Sequence, residues 1–362
     1  MRTSMRRARM SRFPPIPHSL LELTRLLQDP RYRILTMTDD GLDNLYAGSV
    51  TDTAGRHHIL FASERMLQKM REFNTLHGDG TFKIVPVGAA CEQVFCIVGV
   101  WQHHIVPLAY ALMETRTELA YTALFELLQH LLGPQILLTR VITDFEAGQQ
   151  NAWENVFRVH VQGCLWHYSR RFLIVAGQLH LIIPMREIEQ VRRIVRLTMA
   201  LPLLPVRHIR RGFRLILETA RDEGQYIFNI LIDFLNYVNN NWILSDARLR
   251  RMCVFGSEHR TNNACETNNR DLRKVLGNHP NIFLFMEGLV RIERNTRILI
   301  IQLSRGQKVT RPRKRKAIAN DETIERLSNE LLRPHGALDA AVMNFLRRAS
   351  HLMDGMIDEA LH

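Results

Sequence analysis

Between residues 78 and 165 the hydrophobic pattern changes period several times, and the order of those changes constrains the fold more than any other feature of this 362-residue chain. Thr81–Val87, Val94–Trp101 and Ile105–Met113 are short β-branched and aromatic runs divided by turn signals, which argues for three consecutive antiparallel strands. Leu119, Leu124, Leu127, Leu128 and Leu131 then recur at helical spacing over 118–132, and Gly133-Pro134 stops that helix. Residues 136–143 are almost continuously apolar, as in a strand covered on both faces. A helix over 145–156, a brief fifth strand at 159–161 and renewed helix from Leu165 complete the series.

The order β-β-β-α-β-α-β-α calls for an α/β layer arrangement with helices over a mixed sheet, and three antiparallel strands followed by crossover strands is the ribonuclease H-like order. Beyond Pro184 strand signals vanish, and 186–201, 207–223, 225–239 and a looser piece to Val254 read as helix. The expected organisation is therefore a basic tail (1–17), a lead-in of helix, short hairpin and helix (18–76) and the first part of the core (77–183). An all-helical insertion (184–258), the last core helices (259–304), a basic linker (305–316) and an acidic helical segment (317–362) follow.

Composition narrows the function classes. With 46% hydrophobic and 23% charged residues the chain is neither disordered nor collagen-like. Its length suits two domains, or one with a large insertion. Five scattered cysteines make no disulfide framework and favour a reducing compartment. No apolar run approaches the roughly 18 residues of a membrane span, so no membrane partner is expected.

The net charge of +12 favours a polyanionic partner such as nucleic acid. Residues 1–12 carry five Arg and no acid, and residues 305–316 carry seven Lys+Arg and no acid, so these two segments account for the whole excess. The N-terminal one superficially matches an organelle transit peptide, but Pro14, Pro15 and Pro17 break any amphipathic helix there, which favours a solvated basic tail.

Three carboxylates stand out by position. Asp79 is expected to open the first strand in His77-Gly78-Asp79-Gly80-Thr81-Phe82-Lys83, and Asp144 to end the fourth in Val141-Ile142-Thr143-Asp144-Phe145-Glu146. In the ribonuclease H-like order these strands are neighbours, so both acids fall at one end of the sheet. Glu266, in Thr261-Asn262-Asn263-Ala264-Cys265-Glu266, lies in the first turn of the helix after the insertion and can face them. Phosphodiester cleavage or transfer needs two Mg²⁺ or Mn²⁺ ions about 3.5–4 Å apart, and such hard cations take oxygen ligands while keeping several waters. Each acid alone reads equally as a turn, a helix cap or a solvated face. Cys164-Leu165-Trp166-His167 has zinc-compatible spacing but no second pair at a convincing distance, so a packed Cys with a hydrogen-bonded His competes with a catalytic role.

Taken together, these segments resemble the transposase domain of Mutator-like elements. The resemblance rests on Asp79-Gly80-Thr81-Phe82-Lys83 with Pro86, on Pro107-Leu108-Ala109-Tyr110-Ala111-Leu112-Met113 with Tyr121 and Phe125, and on Thr143-Asp144-Phe145-Glu146. Cys164-x-x-His167 and Thr261-Asn262-Asn263-x-x-Glu266 complete it, over about residues 60–300. It implies a ribonuclease H-like fold with a DDE triad of Asp79, Asp144 and Glu266 and a helical insertion before the Glu. Divalent-metal cutting of DNA at element ends and strand transfer to a target follow from it. Cys164 and His167, with Asn262 and Asn263, take a supporting role in that picture. Such transposases commonly carry an upstream zinc-binding DNA-recognition module, which the cysteine-free residues 1–60 are not expected to contain.

DNA is thus the expected partner, self-association stays open, and the expected compartment is the nucleus. Arg192, Arg193, Arg196, Arg210 and Arg211 of the insertion are expected to face phosphates, as are Arg270, Arg273 and Lys274 after Glu266. Arg311, Arg313, Lys314, Arg315 and Lys316 read as a nuclear localisation or DNA-binding stretch. A domesticated or decayed, non-catalytic nuclear DNA-binding or regulatory protein, and an organellar nuclease, are the competing readings.

Overall fold

The computed structural model describes residues 13–88, 90–309, 315–333 and 336–361, which divide into two compact units. Unit 1 comprises Met1–Val161 with Asn262–Arg311, and unit 2 comprises Gln162–Thr261 with Pro312–His362. The 1–12 tail, and Arg311, Arg313 and Lys314 of the basic stretch, lie outside the described residues.

Unit 1 is built on a seven-stranded mixed sheet: β1 (Tyr46–Thr51), β2 (His57–Phe61), β3 (Thr75–Thr81), β4 (Gln93–Trp101), β5 (His104–Met113), β6 (Arg140–Thr143) and β7 (His160–Gly163), in the order β1-β2-β5-β4-β3-β6-β7. The pairs from β1 through β3 are antiparallel, and β6 joins β3 in parallel. This matches the expected α/β class. The hairpin of the 18–76 lead-in is no separate layer, because β2 pairs with β5 and so extends the sheet.

Alternation along the strands loads both faces. Phe95 and Ile97 of β4 and Ala109, Ala111 and Met113 of β5 pack beneath α2 (Glu64–Arg71), α3 (Glu118–Leu132) and α4 (Ala147–Phe157). Val94, Cys96, Tyr110 and Leu112 point the other way, toward α1 (Leu20–Gln28), α11 (Asn263–Leu276) and α12 (Ile282–Ser304). Local chemistry sets the helix ends: Ser19, Ser63 and Thr117 cap α1, α2 and α3 with their hydroxyls, and Gly133 ends α3 at φ +66°, a conformation that favours glycine.

Two strands depart from expectation. The first core strand is Thr75–Thr81 and not Thr81–Val87, so Asp79 lies inside it instead of opening it. Its two glycines are there for close packing: a Cβ on Gly78 would meet Gln149 Nε2 and Phe95 Cζ at 3.0 Å, and one on Gly80 would lie 2.1 Å from Gln93 Oε1. The fourth is only Arg140–Thr143, the stretch before it being held by Leu137 N–H donating to Arg71 O at 3.0 Å and Thr139 N–H to Asn74 O at 2.9 Å.

Among its described residues, unit 2 is helical apart from the end of β7: α5 (Leu165–Gln178), α6 (Ile182–Glu187), α7 (Glu189–Ala200), α8 (Val206–Asp222), α9 (Gln225–Val238) and α10 (Asp246–Met252) are joined by α13 (Arg315–Leu332), α14 (Leu338–Ser350) and α15 (Asp354–Leu361). Tyr168, Phe172 and Trp242 form an aromatic centre with Phe234. Val342, Phe345 and Leu346 of α14 are buried in the same unit. No helix among the described residues is long and apolar enough to cross a membrane.

Candidate active site

The β3–β6 register places two of the three carboxylates. Thr75 faces Arg140, Leu76 faces Val141 and His77 faces Ile142. Asp79 follows the last paired residue of β3 by two positions and Asp144 follows that of β6 by two, so both acids lie beyond the paired stretch in the same strand direction. The backbone at Asp144 is held from α4 and from its own strand: Gln150 Nε2 donates to Asp144 O at 2.9 Å and Thr143 Oγ1 donates to the same oxygen at 2.8 Å.

The third carboxylate is carried by α11, whose Ala264 and Cys265 pack against Val98 of β4. Asn262, just before the helix, is buried; its Oδ1 lies 3.2 Å from His77 Nδ1 and its Nδ2 donates to Gly78 O at 3.1 Å. Asn269 Nδ2 donates to Asp79 Oδ2 at 2.9 Å. Glu266 comes four residues after the first anchor and three before the second, hence on the same helical stripe, and it is exposed. Asn263, expected as a supporting residue, is exposed at the start of α11.

A second set of polar groups lies across the same strand ends. Gln93 Nε2 donates to Tyr121 Oη at 2.8 Å, and Tyr121 O–H donates to Glu146 Oε1 at 3.2 Å. Burial pushes the Glu146 carboxyl above its ordinary value; Tyr121 and Arg116 pull it down, while Asp144 and Glu92 push it up. Burial likewise raises the Tyr121 phenol. Sequence reading passed over Asn269, Gln93 and Tyr121 as site residues, although the three-residue step from Glu266 to Asn269 is a usable signal.

Cys164 and His167 flank the first turn of α5, Cys164 buried and His167 half-buried with its ring 4.7 Å from that of Trp166.

The five arginines of unit 2 that were expected to face phosphates each pair with an acid of the same unit. Arg192 pairs with Asp358 at 2.5 Å, Arg193 with Glu223, Arg196 with Asp354 at 2.7 Å, Arg210 with Asp246 at 2.7 Å and Arg211 with Asp339 at 2.6 Å. On α11, Lys274 pairs with Asp271 at 2.8 Å, while Arg270 and Arg273 are exposed. Arg315 and Lys316 enter α13.

No curated protein matches the chain. Asp79, Asp144, Cys164 and His167, though not Glu266, fall within residues 75–171, the segment that matches the family model of the MULE transposase domain.

Proposed function

We propose that this chain is a DDE-type DNA transposase of the Mutator-like class, performing divalent-metal-dependent phosphodiester cleavage and strand transfer at a ribonuclease H-like core. Asp79, Asp144 and Glu266 hold the metals in this reading. The observation that supports it is that β3, which carries Asp79, pairs in parallel with β6, which leads into Asp144, while α11 is anchored to β3 on either side of Glu266.

The donor set fits hard cations, since all three side chains offer carboxylate oxygens. When bound, Mg²⁺ or Mn²⁺ supplies activation of the attacking oxygen and charge stabilisation of the leaving one. The chain's own residues do the rest: Asn262 and Asn269 hold α11 on β3, Gln150 fixes the Asp144 backbone, and Arg270 and Arg273 present exposed cations within about two helical turns of Glu266 for DNA phosphates. A nuclear location follows from DNA as substrate.

The test is nicking of supercoiled plasmid by the full chain with Mn²⁺ or Mg²⁺. Loss of several kcal/mol of metal-borne stabilisation, at tenfold per 1.36 kcal/mol, predicts that Asp144→Asn lowers the rate by about 10³-fold. Equal cutting by mutant and wild type refutes the triad. Salt-dependent DNA binding with no metal-dependent cutting by the wild type favours the non-catalytic, domesticated reading instead.

A further inference from the structure

The amide of Asn269 has only one workable orientation. A carboxylate accepts and does not donate, so the nitrogen faces Asp79 Oδ2, to which it donates at 2.9 Å. The oxygen therefore points elsewhere, and Asn269 Oδ1 is buried with no hydrogen-bond partner among the described residues. Buried amide oxygens are almost always satisfied. Nor does the helix call for this residue, since Asn is an indifferent helix former in the interior of α11. The atom lies on the stripe that carries Glu266, beside the carboxylate that opens the triad.

We propose that Asn269 is a positioning residue of the metal site, its nitrogen setting the side-chain orientation of Asp79 and its oxygen accepting a hydrogen bond from water carried by the divalent ion. This rests on the triad reading. Divalent ions of this class retain several waters when bound by few carboxylates, and those waters are donors that match an orphaned acceptor. Side chains that orient ligands without touching the metal change its affinity by about 10–100-fold. A packing amide that only pins α11 to β3 would serve stability and leave metal affinity alone.

The experiment is a Mn²⁺ titration of the full chain, reading free Mn²⁺ by electron paramagnetic resonance, with thermal midpoints measured in parallel without metal. Asn269→Leu keeps the approximate volume and removes both donor and acceptor. Its Mn²⁺ affinity is expected to fall about 10–100-fold, while the metal-free midpoint stays near the wild-type value because an unsatisfied acceptor has been removed along with a hydrogen bond. Affinity within twofold of wild type overturns the inference, whether or not the midpoint falls. Should Asn269→Leu fail to fold, Asn269→Ala is read by the same criterion.

Asp144→Asn in the same titration separates the two claims. If it loses Mn²⁺ and Asn269→Leu does not, the Asn269 inference fails alone. If it binds Mn²⁺ as wild type does, the triad fails and takes the inference with it.

Discussion

Replacing Gly80 by alanine is the sharpest test of how the strand beside Asp79 is packed. The added Cβ would lie 2.1 Å from Gln93 Oε1 and 3.1 Å from Gln93 Cδ, and Gln93 is fully buried. Normal contact distances require the amide to retreat by about 1 Å or more. That movement breaks its 2.8 Å donation to Tyr121 Oη and loosens the Tyr121–Glu146 contact behind it. An unmade buried hydrogen bond costs about 1–3 kcal/mol and overpacking about 1–3 kcal/mol, so Gly80→Ala should destabilise unit 1 by about 2–6 kcal/mol.

Urea unfolding supplies the midpoints. Amide hydrogen exchange in β3 and β4 assigns the loss to unit 1, because a chain of two units need not unfold in one step. The mechanism also fixes a coupling. In a Gln93→Ala background the clash is gone, so the cycle should show an interaction energy of about 1–3 kcal/mol. Gly177→Ala, in the exposed last turn of α5 where the added Cβ would meet only Ile182 Cγ1 at 4.0 Å, should stay within about 1 kcal/mol of wild type. A Gly80→Ala loss under about 0.5 kcal/mol, additive with Gln93→Ala, would refute the packing argument.

Three further outcomes are expected. Arg270→Ala and Arg273→Ala should each weaken non-specific DNA binding and reduce the slope of log affinity against log salt by about 0.9, measured by fluorescence anisotropy; unchanged slopes would remove α11 from the DNA-facing surface. Burial raises the Glu293 carboxyl above its ordinary value of 4.5, with Arg297 and Arg65 pulling down and Asp40 and Asp43 pushing up. Its folded-state pKa therefore exceeds the unfolded one, and wild-type stability is lost as pH rises through the folded value. Glu293→Gln should gain on wild type over that rise and match it most closely below 4.5, a trend read from urea midpoints between pH 4 and 8. Deleting residues 338–361 should unfold unit 2, because Val342, Phe345, Leu346, Ile357 and Leu361 are buried there; a soluble truncation with native near-ultraviolet dichroism would contradict this.

How much of this was legible in the sequence depends on where each signal resides. The strands β4 and β5 were readable to within a residue because nine and ten residues of β-branched and aromatic character are hard to mistake. The strand carrying Asp79 was misplaced because His77-Gly78-Asp79-Gly80 looks like a turn, whereas both glycines are extended residues whose missing side chains make room for Gln149, Phe95 and Gln93. That the strand carrying Asp79 neighbours the one leading into Asp144 followed from strand order alone. Asn269 did not, since a run of Asn and Thr after Glu266 reads as a solvated face until Asp79 is placed against it. The ion pairs of the arginine stripe were hidden for a different reason: the acids that pair with Arg211 and Arg192 lie 128 and 166 residues away in sequence.

Under the proposed function, those ion pairs bear on where DNA would be held. For phosphates to take Arg192, Arg196 and Arg211 they must displace Asp358, Asp354 and Asp339. Exchanging one anion for another at the partly exposed Arg192 and Arg211 gains little, since such pairs contribute about 0–1 kcal/mol. Those acids stand on α14 and α15, whose large apolar side chains Val342, Met343, Phe345, Leu346, Ile357 and Leu361 are buried. Hydrophobic burial therefore locks the acidic segment onto the arginines far more firmly than the charges do. Those residues stabilise unit 2, and the net charge of +12 says nothing about them. Among the cations expected to face DNA, the exposed Arg270 and Arg273 lie on α11, the helix that carries Glu266, and are the first to test for phosphate contact.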